Sequence, residues 1–255
     1  MHDRGLRRSV DVARRLRNEL VAMRDRNRKR HQRGFTLVEM MIVVALIGIL
    51  AAASSPLMQG FFLNIRAKAA ARSVADAFRI ARTEAIRTGT PHVVFFSAAA
   101  SGNPPATDPA GTPLGADPKT GGPYPILVLR DDSGGAPNCR IDVGETTSTT
   151  AAQPGISWGA AVSGGAAPAD DPNAAVDHSS GSSFQTAAGG SITWVMFLGN
   201  GLPAGFDNAC NVDPVGTAGG AIYLTNGQRD YAIVLSPLGA VRVHAFEEGA
   251  NQWTN

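Results

Sequence analysis

The sequence predicts an α+β protein in which one long N-terminal helix, its first half apolar enough for a bilayer, packs on an antiparallel β-rich C-terminal head. Three observations predict it. An apolar run of 24 residues, Phe35 to Met58, carries a single charge at Glu39. A helical stripe continues that run as far as a Thr88-Gly89-Thr90-Pro91 stop. Beyond the stop, short β-branched and aromatic segments recur between Gly- and Pro-rich stretches, the pattern of half-buried strands joined by turns.

Residues 1–34 form a basic leader with 12 Lys and Arg against 4 Asp and Glu. The remaining chain carries 11 against 17, so the net charge of +2 conceals a basic start and an acidic body. A basic segment directly before an apolar run reads as a topology signal retained in the cytoplasm. Leu6, Val10, Ala13, Leu16, Leu20 and Met23 fall at helical spacing, which also fits a basic amphipathic helix. A start at Met23 rather than Met1 would leave a compact leader of the same sign. The residues do not choose between the two starts.

Residues 35–58 match the hydrocarbon thickness of a bilayer, about 30 Å. With the basic flank on their N-terminal side they read as a transmembrane helix, N-terminus in the cytoplasm and C-terminus outside. The rival is a signal peptide cleaved near Ala51-Ala52-Ala53, which would need a shorter apolar stretch. A carboxylate within a bilayer is costly and marks function. Against that, Glu39 near the membrane surface could snorkel into water at little cost.

Residues 59–89 continue the helix as an amphipathic segment. Ile65, Ala69, Val74, Ala77, Phe78, Ala81 and Ala85 form the apolar stripe, and Arg66, Lys68, Arg72, Arg79, Arg82 and Arg87 decorate the rest. Unbroken from Phe35 to Thr88, the helix would be about 80 Å long, with Pro56 and Gly60 as kinks or melted points. Gly89 suits a left-handed cap and Pro91 cannot continue the helix.

Residues 90–255 form the head. Strands are expected at His92–Phe96, Tyr124–Arg130, Ser191–Leu198, Ala221–Thr225, Asp230–Ser236 and Ala240–Phe246, the last two joined by a hairpin at Pro237-Leu238-Gly239. Loops 98–123 and 160–181 are rich in Gly, Ala, Ser and Pro, and read as mobile insertions too poor in large apolar residues to pack. In an exported domain, Cys139 and Cys210 would by default form a disulfide. Closing a loop of about 70 residues contributes roughly 4 kcal/mol in the chain-entropy model. The alternative is a pair of unlinked buried thiols.

Arg33-Gly34-Phe35-Thr36-Leu37-Val38-Glu39, after a basic leader and opening the apolar run, resembles the processing site of type IV prepilins and type II secretion pseudopilins. The resemblance implies a pilin fold, cleavage after Gly34 by a prepilin peptidase, and N-methylation of the new terminus at Phe35. It also implies assembly with other pilin or pseudopilin subunits from the bacterial inner membrane, the head lying in the periplasm. In assembly, Glu39 would meet the free amine of the adjacent subunit's Phe35. Pro56 stands where this family often has a proline. Residues 77–95, AFRIARTEAIRTGTPHVVF, resemble the GspH/FimT branch of minor pilins, whose helix ends in a similar R-x-E-A-I-x-x-G pattern. Phe197–Pro203 and Tyr231–Phe246 resemble that branch's closing strands. This points to a minor subunit at or near the filament tip.

Some minor pilins of that branch bind DNA through a basic G-R-x-R motif. Here the corresponding Gly239-Ala240-Val241-Arg242 keeps one arginine, and residues 90–255 hold 5 cations against 14 acids. Phosphate binding needs clustered cations, so nucleic acid is a disfavoured partner and a DNA-uptake role the alternative. A signal-anchored periplasmic domain that never polymerises is the other. Asp207, Asn208, Asn211 and Asp213 are an oxygen-rich cluster, but the spacing is not that of a calcium loop and suits a turn. His178-Ser179 lies in a Gly/Ser loop without an ordered base and nucleophile around it. No cofactor, metal site or catalytic residue is expected, and nothing in the sequence supports an enzyme.

Overall fold

The computed structural model describes residues 35–97, 107–111, 126–131, 137–142, 144–150, 153–176 and 181–254; the side chains of residues 53 and 55–57 lie outside that description. The chain divides into two compact units, Met1–Pro56 and Leu57–Asn255. Helix α1 is assigned to Leu37–Thr88 and passes through that boundary.

In the first unit, the side chain of Thr36 accepts the backbone N–H of Glu39 at 3.2 Å. This caps one of the amides that a helix start leaves without a partner. The cap explains why α1 begins at Leu37, two residues later than the apolar run. The large apolar side chains that follow, from Leu37 to Leu50, are exposed on every side of the helix. Among the described residues, no helix is long and apolar enough to cross a membrane; the described side chains are interrupted at residue 53. The expected melting at Pro56 and Gly60 does not occur, since the backbone is helical through both.

In the second unit, α1 buries Ala67, Ala70, Ala71, Val74, Ala75, Ala77, Phe78, Ala81 and Ala85. Small residues at this spacing let strands approach the helix closely, and Phe78 fills the centre. Ile65 and Ala69, expected in the stripe, are exposed, because the buried face at this end runs through Ala67 and Ala70 instead.

The head has two antiparallel sheets. One contains β1 (His92–Phe96), β2 (Ile126–Arg130), β3 (Thr147–Thr150), β5 (Trp194–Phe197) and β6 (Pro203–Ala204), in the order β3-β2-β1-β5-β6. The other contains β4 (Ser157–Trp158), β7 (Gly220–Thr225), β8 (Asp230–Leu235), β9 (Val241–Glu247) and β10 (Gln252–Thr254), in the order β10-β9-β8-β7-β4. Each of the expected strand segments forms a strand, and the β8–β9 hairpin turns through Pro237-Leu238-Gly239 with Gly239 N–H on the Ser236 carbonyl at 2.8 Å. Strands β3, β4, β6 and β10 were not expected.

One main core joins the helix to both sheets. A smaller one lies on the opposite face of the second sheet, where Ala221, Tyr223, Ala232 and Val234 alternate with residues of the main core. Period two sends neighbouring residues to opposite faces, so β7 and β8 are buried along their whole length only because something covers that second face. Part of the cover is residues 160–176, which were expected to be a mobile insertion. They pack through polar anchors. Asp230 accepts the N–H groups of Ala161, Val162 and Ser163 at 3.2, 2.8 and 2.7 Å. Asp171 accepts the Tyr223 hydroxyl at 2.6 Å and the Ser183 hydroxyl at 3.0 Å, and Trp253 donates to the Ala166 carbonyl at 3.0 Å. Burial and the Asp171 contact together push the Tyr223 hydroxyl well above the usual tyrosine range.

Candidate functional site

The start of α1 is built from four residues. Phe35 precedes the helix and is 72% exposed. Thr36 is the cap, and Glu39 lies three residues beyond it in the first turn. Thr-x-x-Glu is the spacing of a capping box, a signal legible in the sequence that reading Glu39 only as a charge in an apolar run overlooks. An acid in the first turn is also favoured by the partial positive charge of the helix N-terminus. Glu39 therefore suits the helix start on local grounds, and its side chain is exposed. Gly34 lies outside the described residues, as does the side chain of Pro56.

A second cluster sits where α1 ends. Arg82 donates to the Gly239 carbonyl at 2.7 Å. A side chain at Gly199 would place its Cβ 2.5 Å from the Gly89 carbonyl oxygen, and one at Gly201 would come within 2.5 Å of Ile86. Gly239 and Gly201 also hold φ of 80° and 77°, a region glycine occupies without strain. The helix-end pattern Arg82–Gly89, the Phe197–Pro203 segment and the β8–β9 turn, separate in sequence, thus meet at one junction. Each glycine allows another backbone or side chain to approach.

Cys139 and Cys210 form the disulfide, with Cα atoms 5.6 Å apart. Both adopt positive φ, 59° and 62°. Asp131 accepts the N–H groups of Asn138 and Cys139 at 3.1 and 2.7 Å. On the other side, Trp194 donates to the Phe206 carbonyl at 2.9 Å and stacks on the Phe206 ring. The bridge ties the segment after β2 to the one after β6.

The oxygen-rich cluster beside Cys210 is a turn. Asp207 accepts the N–H groups of Ala209 and Asn211, both at 2.9 Å, and the Asn211 side-chain amide at 2.8 Å. The Asn211 amide chiefly holds the Asp207 carboxyl below its ordinary range. Asp213 accepts the N–H of Ala187. Among the described residues, no group of His, Cys, Asp and Glu is arranged to hold a metal. Arg242, the one arginine kept from the basic motif, pairs with Asp170 at 3.3 Å. His178-Ser179 lies outside the described residues.

A family model, the prokaryotic N-terminal methylation motif, matches residues 29–55. A type II secretion system protein H of Xanthomonas campestris pv. campestris is 36% identical over 63 residues, covering 25% of this chain and 37% of that protein. A fimbrial protein of Dichelobacter nodosus is 32% identical over 119 residues, covering 44% of this chain and 66% of the relative. The chain thus spans less than two thirds of either relative. No solved structure matches.

Proposed function

We propose that this chain is a structural subunit of a type IV pilus or type II secretion pseudopilus, since it carries the N-terminal methylation motif and is similar to a type II secretion system protein H and a fimbrial protein. A prepilin peptidase would remove residues 1–34 by cutting after Gly34, and Phe35 would become the methylated N-terminus. Phe35–Met58, 24 residues in sequence with one charge, would lie in the inner membrane before assembly, which suits a hydrocarbon layer of about 30 Å. The head would lie in the periplasm. The observation that carries this reading is the bare apolar face-all-round helix that opens in a capped, acidic first turn. A helix apolar on every side requires lipid or other helices around it.

In the filament, such helices would pack side by side, and Gly48, which has open space beside it, would allow close approach. Glu39 would pair with the Phe35 amine of the next subunit. In a water-poor core that attraction favours one axial register over its neighbours. Pro56 would be part of the same assembly segment. A minor position, at or near the tip, is the finer part of the proposal. The GspH/FimT-like segments at residues 77–95 and 197–203 support it.

The test is mass spectrometry of the mature N-terminus after expression beside the chain's own peptidase. The expected product begins with methylated Phe35. An intact Met1, or a cut near Ala53, would overturn the reading.

A further inference from the structure

The fold brings cations of α1 and a cation of the otherwise acidic head to one place. Lys68, Arg72 and Arg79 of α1 and Arg229 of the β7–β8 turn line a groove of about 390 Å3, floored by Tyr231, Val243 and Ala245. Among the described residues, Lys68, Arg72 and Arg229 make no ion pair, and Arg79 meets only the exposed Asp76 at 3.0 Å. Exposed pairs of that kind hold little free energy. The β7–β8 turn is itself fixed, because Asn226 accepts the Arg229 N–H at 2.7 Å and donates to Asn64 of α1 at 2.8 Å. On the β9 side, His244 lines the groove and is held by Asp170 at 2.9 Å. The groove is thus a row of cations over an apolar floor, three of them without an ion pair among the described residues and Arg79 paired only at the surface, with its far wall anchored.

We propose that this groove docks an extended acidic segment of a neighbouring subunit, an inference that rests on the assembly role above. The spacing fits such a segment. From Lys68 to Arg79 is about 16 Å along the helix axis, and side chains on one face of an extended chain recur about every 6.7 Å. Three carboxylates at alternate positions therefore span the cationic row, and arginine can grip a carboxylate through two parallel hydrogen bonds. The aliphatic stems of those same carboxylate side chains would lie on Tyr231 and Val243. A duplex nucleic acid fits less well. Phosphate-driven binding draws on roughly six to ten contacts, and the groove offers four cations.

The test uses the full chain in detergent micelles and a fluorescent heptapeptide with Glu at alternate positions and Thr between them. Saturable binding is expected, weakening steeply between about 50 and about 300 mM salt as screening grows. It should be lost when Gln replaces Glu, and weaken about tenfold or more in the R72E/R229E double variant. Arg66→Glu, on the same helix outside the groove, should leave it unchanged. Should R72E/R229E fail to melt like the parent, the milder K68Q/R229Q variant and the salt series on the parent chain decide the matter. Equal binding of the Gln peptide, indifference to both double variants, or no salt dependence would overturn the proposal. So would displacement of the peptide by a duplex oligonucleotide at equal charge, which would assign the groove to nucleic acid. Peptide binding reads the groove alone, whereas the mature N-terminus reads the assembly role, so failure of either is distinguishable from failure of the other.

Discussion

Asp230 holds three consecutive backbone amides with one carboxylate, and it is fully buried. Hydrogen bonds to a charged acceptor contribute more than neutral ones, and a donor left without its partner costs its desolvation. Asp230→Ala is therefore expected to destabilise the head by about 2–4 kcal/mol. Asp230→Asn, which keeps an acceptor, should lose less. Urea unfolding of the two variants checks both the size and the order. Glu39 shows the same economy at the other end of the chain. Its backbone N–H is capped by Thr36, so its place in the first turn is set by the helix start.

At the scale of elements, the junction at the end of α1 shows why glycine is needed at two neighbouring positions. At Gly199 the obstacle is the Gly89 carbonyl, which is backbone and cannot rotate away. Gly199→Ala should cost about 2 kcal/mol or more through forced separation of β5 from the helix end, seen as a lower thermal midpoint. At Gly201 the obstacle is the Ile86 side chain, which has rotamers to yield. The penalty there comes mainly from a φ of 77°. The strands that were legible in sequence are those with runs of Val, Ile and Phe, such as β1 and β8. The ones that were not are short or polar. β3 reads Thr-Ser-Thr-Thr and is an exposed edge, and β6 is two residues, one of them proline. Such strands exist because a neighbour offers them hydrogen bonds, and their own composition carries little signal.

At the scale of the whole molecule, the disulfide joins segments 71 residues apart. Cross-linking a loop of that length is worth roughly 4 kcal/mol in the chain-entropy model. Reduction, or the paired Cys139→Ser and Cys210→Ser substitutions, should lower the unfolding free energy by that order, read in denaturant titration as a lower midpoint, while the slope rises if the unfolded chain expands. The bridge also joins two cysteines that both lie in the left-handed region, which residues other than glycine occupy only where the surrounding structure holds them there.

The long helix and its stop at Thr88, its apolar first half, the main strands and the Arg33–Glu39 motif at its start are all legible in the amino-acid sequence. All of these are written in short windows, where backbone geometry and side-chain period leave few alternatives. That residues 160–176 cover the outer face of β7 and β8 emerges only when the chain is packed. The same packing decides which helix face is buried near Ala67, and that Lys68, Arg72 and Arg79 share a groove with Arg229. Those facts depend on elements from about 50 to about 160 residues apart being packed together. No local period encodes such a meeting, because it is set by the fit of whole surfaces and by polar anchors such as Asp230 and Asp171 finding their amides and hydroxyls.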